Sequence, residues 1–179
     1  MRTIYLDYNT STPIAGSVRD AMLPFMGEFF THPSNPHWSG RASQEAIEDA
    51  RSNLSGLLGC HPAEIVFTSG GTESVNLALL GAAKAIARQE PELRPHLITS
   101  NLEHGCVLRC AEELEARGWQ VTFVGSDSQG TIHLSEIEAA LRDNTRLVSI
   151  THASHLIGTI QPITEIAELC HDHHAAAPL

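Results

Sequence analysis

Short β-rich runs that alternate with amphipathic ones predict an α/β fold, a mainly parallel sheet flanked by helices. Two further observations support this class. The 179 residues are 42% hydrophobic and 18% charged, the profile of a globular domain with a buried core. A glycine turn, Ser69-Gly70-Gly71-Thr72, stands where one of the β-rich runs would hand over to a helix.

The elements follow in order. Residues 3–6 form a short extended run ahead of Pro13. Val18, Met22, Phe25 and Met26 recur at helical spacing and predict a helix over 15–29. Residues 31–40, with Pro33 and Pro36, read as a loop. From 42 to 58, Ala46, Ile47, Ala50, Leu54, Leu57 and Leu58 recur three and four apart, and Gly59 stands where a left-handed C-cap belongs. The apolar face of that helix is expected to pack on the sheet. Residues 64–68, Glu-Ile-Val-Phe-Thr, predict a strand, and the Ala- and Leu-rich run 75–88 a helix. Strands at 96–100 and 120–124 are separated by a helix over 105–117 that Gly118 terminates. Ser135 and Glu138 fit a capping box for a short helix ending near Arg142, 146–151 is a buried-type strand, and Pro162 opens a helix through about His171. Pro178 then announces a further element, which alternation makes a strand, so the fold is expected to continue past residue 179.

Charge and composition exclude several functions. Twenty-one Asp and Glu against 11 Lys and Arg give a net charge of -10, which disfavours a phosphate-backbone partner, so no nucleic acid is expected. No run reaches the roughly 18 apolar residues of a membrane span, and no basic and apolar leader opens the sequence. A cytoplasmic protein with no membrane partner is expected. Cys60, Cys106, Cys110 and Cys170 form no CxxC pair and read as free thiols, with Cys106 and Cys110 on one helix face. The run Cys170-His171-Asp172-His173-His174 offers zinc-ligand chemistry, but neighbouring residues rarely converge on one ion and histidines suit a helix C-terminus, so no metal is expected.

Chemistry concentrates in two places. Ser69-Gly70-Gly71-Thr72 puts free backbone N–H groups and a helix N-terminus together, which suits a phosphate and equally suits a plain strand-to-helix turn. His104 follows the C-terminal end of a strand, where α/β sheets place ligands. Its imidazole can stack on an aromatic ring and relay protons, or simply cap the next helix. Lys84, the sole lysine, lies about 18 Å along the helix from Thr72 at 1.5 Å per residue and reads as a solvated surface group.

Taken together, Tyr5-Leu6-Asp7-Tyr8-Asn9 through Pro13, Gly40-Arg41, residues 64–74, Glu103-His104, Leu147-Val148-Ser149-Ile150 with His152, and Ile157-Gly158 before Gln161-Pro162 follow one order and spacing. In these motifs the whole chain resembles the front half of the cysteine desulfurases, pyridoxal-phosphate enzymes of the class V aminotransferase family and fold type I. The resemblance implies a homodimer with pyridoxal 5'-phosphate between subunits, L-cysteine as substrate, and sulfur transfer that leaves alanine and an enzyme persulfide. It implies that Gly71 and Thr72 hold the cofactor phosphate and that His104 is the catalytic histidine stacked on the pyridine ring. His155 occupies the position of an asparagine that bonds the phenolic oxygen, within Ser154-His155-Leu156, and His32 also replaces an asparagine.

The same resemblance makes residues 1–14 an N-terminal arm and 15–179 part of a large domain, without its C-terminal half and small domain. The aspartate on the pyridine nitrogen, the Schiff-base lysine, the persulfide cysteine and the carboxylate-binding arginine all belong to that other half. The chain is therefore expected to be inactive alone and to need a complementing half. Two alternatives stand beside this reading: a non-catalytic partner or regulator derived from the family, and a fragment of a selenocysteine lyase or class V aminotransferase. A half-domain also predicts exposed apolar sheet surface, and with it dimerisation or aggregation of the isolated chain.

Overall fold

The structure, a computed structural model, describes residues 4–176, the last three by backbone alone. It divides into two compact units, Met1–Phe67 and Thr68–Leu179.

In the first unit, α1 (Gly16–Met22) gives way to a 3₁₀ turn at Leu23–Met26 instead of running on to 29. Pro24, which has no N–H to give an α-helical ladder, accounts for the change. The long helix α2 (Trp38–Leu58) starts earlier than its apolar spacing indicates. Gly40 sits in its first turn because a Cβ there would collide with the Asn35 carbonyl. Gly59 closes the helix in the left-handed conformation, φ 67°, as its position predicts. Within the first unit itself Leu57 and Leu58 stay 83% and 69% exposed.

No strand forms at 64–68. A 3₁₀ turn at Pro62–Glu64, capped reciprocally by His61 and Glu64, is followed by extended backbone with no ladder. A strand exists only by pairing, and among the described residues nothing pairs with this segment. Instead the Arg51 guanidinium donates to the Ile65 carbonyl and lies 5.1 Å from the Phe67 ring centroid. The extended run at 4–6 is likewise unpaired, and residue 3 lies outside the described residues.

The second unit matches the predicted alternation closely: α3 (Gly71–Gln89), β1 (His96–Ser100), α4 (Gly105–Ala116), β2 (Gln120–Val124), α5 (Leu134–Ala140), β3 (Thr145–Ser149) and α6 (Ile163–Ala176). Helix α5 has His133 as N-cap with no side-chain cap, so the Ser135–Glu138 pairing is not used as a capping box, and the helix ends at Ala140. The three strands are all parallel in the order β2-β1-β3, with His96 opposite Gln120 and Ser100 opposite Val124.

β1 is buried at all five positions. On one side Leu97 packs with Ala83, Ala111, Leu114 and Trp119 under α3 and α4. On the other, Ile98 packs with Val124, Ile132, Ile137 and Ile166 under α5 and α6. The order explains the layering. The crossover from β1 to β2 and the crossover from β2 past β1 to β3 run in opposite directions, and right-handed connections then place α4 and α5 on opposite faces.

At the amino end of β1, fully buried His96 bridges both neighbours, with Nδ1 2.9 Å from Thr145 Oγ1 and Nε2 2.8 Å from Thr122 Oγ1. Arg142 supports both hydroxyls, its guanidinium donating to Thr122 Oγ1 at 3.2 Å and its backbone N–H to Thr145 Oγ1 at 2.9 Å. Burial first, and the Arg142 charge second, lower the His96 pKa from 6.5 to about 4.

Between those two values the unfolded chain binds the proton and the folded chain does not. This contribution to stability is complete above pH 6.5 and is lost as pH falls toward 4, on the order of 3 kcal/mol in all. We expect urea midpoints to fall between pH 7.5 and 4.5, and His96→Gln to flatten that slope while lowering stability at pH 7.5. An unchanged slope in the variant contradicts the assignment.

Candidate active site at the carboxyl end of the sheet

The chain leaves β1 toward α4 on the Leu97 face and leaves β3 toward α6 on the Ile98 face. Loops that diverge from adjacent parallel strands open a crevice at the carboxyl end of the sheet, where α/β proteins bind ligands. His104 follows β1 and His155 follows β3. Their ring centroids are 6.0 Å apart and tilted by 47°, so the fold brings together two of the residues singled out from sequence.

Each histidine is held by its own loop. The β1 loop turns back on itself through Ser100, whose Oγ accepts from the Leu102 N–H at 3.2 Å and donates to Glu103 Oε1 at 2.9 Å. The same Oε1 accepts the Thr151 N–H at 2.7 Å, which ties this loop to the segment after β3. Glu103 is buried, and burial pushes its carboxyl pKa up against the opposing pull of the Thr151 N–H and the Ser100 hydroxyl.

His104 is the N-cap of α4, its Nδ1 accepting the Cys106 N–H at 3.2 Å with Cys106 Sγ 3.0 Å away. Capping and ligand binding thus do not compete for one atom. With Nδ1 used as acceptor, the neutral ring carries its hydrogen on Nε2.

His155 lies on a tight turn closed by the antiparallel bridge between Ala153 and Ile160, with Gly158 at φ 74° donating to the Ser154 carbonyl at 2.8 Å. Gln161 anchors the base of this turn. Its backbone N–H reaches the His152 carbonyl at 2.8 Å, and its buried amide bonds the Gly130 carbonyl at 2.7 Å and the Ile132 N–H at 2.8 Å.

The glycine turn opens α3. The first helical hydrogen bond runs from the Ser74 N–H to the Gly70 carbonyl at 3.0 Å, so the N–H groups of Gly71, Thr72 and Glu73 precede the ladder. Glu73 does not turn its carboxylate into that space. Its Oε2 accepts from both the Ser69 hydroxyl and the Ser69 N–H at 2.6 Å, and these bonds lower its pKa. A Cβ built at Gly70 or Gly71 meets nothing within 4 Å, so the approach to the N–H groups is open. Val75 and Leu79 of α3 pack with Cys106, Val107 and Cys110 of α4. Both helices therefore present their N-termini at one end, the glycine turn on one and His104 on the other.

This donor set fits the non-covalent contacts of pyridoxal phosphate: N–H groups and the Thr72 hydroxyl for the phosphate, His104 for the ring, His155 for an oxygen acceptor. It does not supply a covalent anchor. Lys84, the chain's one lysine, is exposed in the body of α3, as its position predicts. Cys110 is buried and Cys106 partly so in the α3–α4 contact. Of the C-terminal histidines, the side chain of His174 lies outside the described residues, and no group of three potential metal ligands gathers among the described ones.

Sequence reasoning left two of these residues without a role. Glu103 stood in the motif with His104, and a carboxylate between a strand end and a helix cap is a readable signal. Gln161 stood in the Gln161-Pro162 motif, but its role was not readable because its partners lie 29 and 31 residues away.

The second unit is a parallel α/β sheet with a histidine pair at its carboxyl end. The chain belongs to the class-V aminotransferase family, which matches residues 4–177. It is 41% identical over 172 residues to the cysteine desulfurase IscS of Dictyoglomus turgidum, spanning 96% of this chain and 43% of that protein. To the cysteine desulfurase IscS of Neisseria meningitidis serogroup C it is 43% identical over 170 residues, 94% of this chain and 41% of that one.

Among solved structures, a NifS-like protein superposes with a TM-score of 0.90 at 32% identity, covering 96% of this chain and 46% of that one. SspA in complex with cysteine gives 0.87 at 39% identity, with 96% and 48% covered. The fold is that of the pyridoxal-phosphate fold type I desulfurases, and the chain spans under half the length of the relatives it matches.

Loss of the His104 cap is expected to cost about 1 kcal/mol. His104→Ala should lower the melting temperature by a few degrees and His104→Asn, which can still cap, should recover most of it. Equal melting of all three proteins would show that the cap is not formed.

Proposed function

We propose that this chain supplies the phosphate and ring contacts of a pyridoxal-phosphate site of the cysteine desulfurase type, and that a complementing polypeptide supplies the catalytic remainder. The observation that carries the reading is the meeting of His104, the cap of α4, with His155, while α4 packs beside α3, whose first residues are Gly71 and Thr72. Gly71 and Thr72 hold the phosphate through their N–H groups and the Thr72 hydroxyl. His104 lies on the pyridine ring, its Nε2 hydrogen available to a substrate or cofactor atom while Nδ1 remains on the cap. His155 donates to the phenolic oxygen, replacing an amide with a larger donor of different geometry.

Bound pyridoxal phosphate supplies an electron sink for chemistry at an amino-acid Cα. The reaction of the completed site is sulfur transfer from L-cysteine, giving alanine and a persulfide. The relatives named as cysteine desulfurases support this, as does the solved structure of SspA in complex with cysteine. In this arrangement residues 1–14 act as an N-terminal arm and 15–179 as part of the large domain. The partner is the complementing half, or a second copy in a homodimer. Apolar side chains in the first unit suit such an interface, with Trp38, Leu57, Leu58 and Val66 each more than 60% exposed. Four free thiols accord with a cytoplasmic protein. Among the described residues no helix is long and apolar enough to cross a membrane.

A second reading, a non-catalytic partner or regulator, is favoured by one observation: Ser154-His155-Leu156 departs from the desulfurase pattern at a cofactor contact, and loss of the other half alone does not require that change.

Two measurements separate these readings. Pyridoxal phosphate at a hundredfold excess over its Kd should raise stability by about 2.7 kcal/mol. Thr72→Val should remove most of the gain and Lys84→Ala should not. No shift in the parent chain, or a shift lost with Lys84, contradicts the site as drawn. Desulfurase turnover should be absent from the chain alone and appear on mixing with the carboxyl-terminal half of a desulfurase relative. Binding of that half without turnover favours the regulatory reading.

A further inference from the structure

The two lips of the crevice are separate loops, one after β1 and one after β3, and parallel strand pairing stops at Ser100 and Ser149. Beyond those residues the sheet ladder no longer holds the loops together. Between the β1 loop and the start of the β3 loop, the bond from the Thr151 N–H to Glu103 Oε1, 2.7 Å long, takes over that task. Glu103 is the residue immediately before His104, and Thr151 lies four residues before His155.

We propose that Glu103 is a positioning residue that locks the β1 and β3 loops together and so sets the spacing of the His104–His155 pair across the crevice. Three features support it. One oxygen, Oε1, receives both the Ser100 hydroxyl of the first lip and the Thr151 N–H of the second, so neither loop shifts without losing a bond to a buried carboxylate. Glu103 is only 9% exposed in a loop whose next two residues, His104 and Gly105, are exposed. Burial raises the Glu103 pKa while the Thr151 N–H and the Ser100 hydroxyl pull it down, so both bonds act on this one carboxyl group. The far side of the His155 turn is pinned separately by Gln161 to Gly130 and Ile132. This leaves the near side to Glu103.

The inference rests on the proposed cofactor site only in its second readout. The first is made without cofactor, as the nuclear Overhauser effect between the His104 and His155 ring protons in the whole chain. The second is the pyridoxal-phosphate Kd by absorbance titration. Glu103→Gln keeps an oxygen acceptor at the same reach and should retain the ring-to-ring signal, with a Kd within threefold of the parent. Glu103→Asp, one methylene shorter, and Glu103→Ala should lose the signal and weaken binding at least tenfold.

Ile166→Val in the opposite core serves as the control for general destabilisation and should leave the ring-to-ring signal intact. Should the alanine variant fail to fold, Glu103→Asp decides. A persistent ring-to-ring signal and parental Kd in that variant overturn the proposal, and so does loss of both in Glu103→Gln. A parent chain that shows the ring-to-ring signal but binds no pyridoxal phosphate overturns the cofactor reading and leaves the Glu103 lock to be decided by the signal alone.

Discussion

The second unit depends on β1 having a neighbour on each edge and helices on each face. All five of its residues are buried, and its two central side chains point into different cores, Leu97 toward α3 and α4 and Ile98 toward α5 and α6. The two ladders and the alternation of its side chains fix its register as well. At the amino end His96 adds side-chain bonds to both flanking strands. At the carboxyl end Glu103 adds the bond to the Thr151 N–H. The same strand thus carries a stabilising cross-link at one end and the site at the other.

The site is economical in side chains because its parts are already oriented by secondary structure. The N–H groups at the start of α3 need no partner within the helix, and the Glu73 carboxylate, which would compete with an anion, is turned back onto Ser69. His104 spends one ring nitrogen on capping α4 and keeps the other free. His155 is presented on a short turn whose base is closed by the Ala153–Ile160 bridge. The one lysine, Lys84, is exposed on α3, so among the described residues no lysine side chain stands with the histidine pair to anchor a carbonyl ligand covalently.

The degree to which the fold could be read from sequence depended on whether an element's partners lie inside the chain. β1 and β2 appear at the predicted residues because their apolar runs pair with each other. The run at 64–68 has equal β character but no neighbour among the described residues, and propensity without a ladder leaves it extended. Local chemistry shifted boundaries: Pro24 cut α1 short, and α3 began at Gly71, four residues before its Ala- and Leu-rich part, since a first turn rich in glycine looks like loop. Gly71, Thr72, His104 and His155 were all visible in the sequence. That His104 and His155 meet was not, because their approach follows from the β2-β1-β3 order, which no local pattern encodes.

The central claim is that one crevice gathers the glycine turn, His104 and His155 around a single ligand. The most direct test is a two-dimensional NMR titration of the chain with pyridoxal phosphate, following the Gly71 and Thr72 amides together with the His104 and His155 ring signals. The account predicts that all four move with one common dissociation constant. Shifts confined to Lys84 and scattered surface amides, or movement of the glycine turn without the histidines, would contradict it.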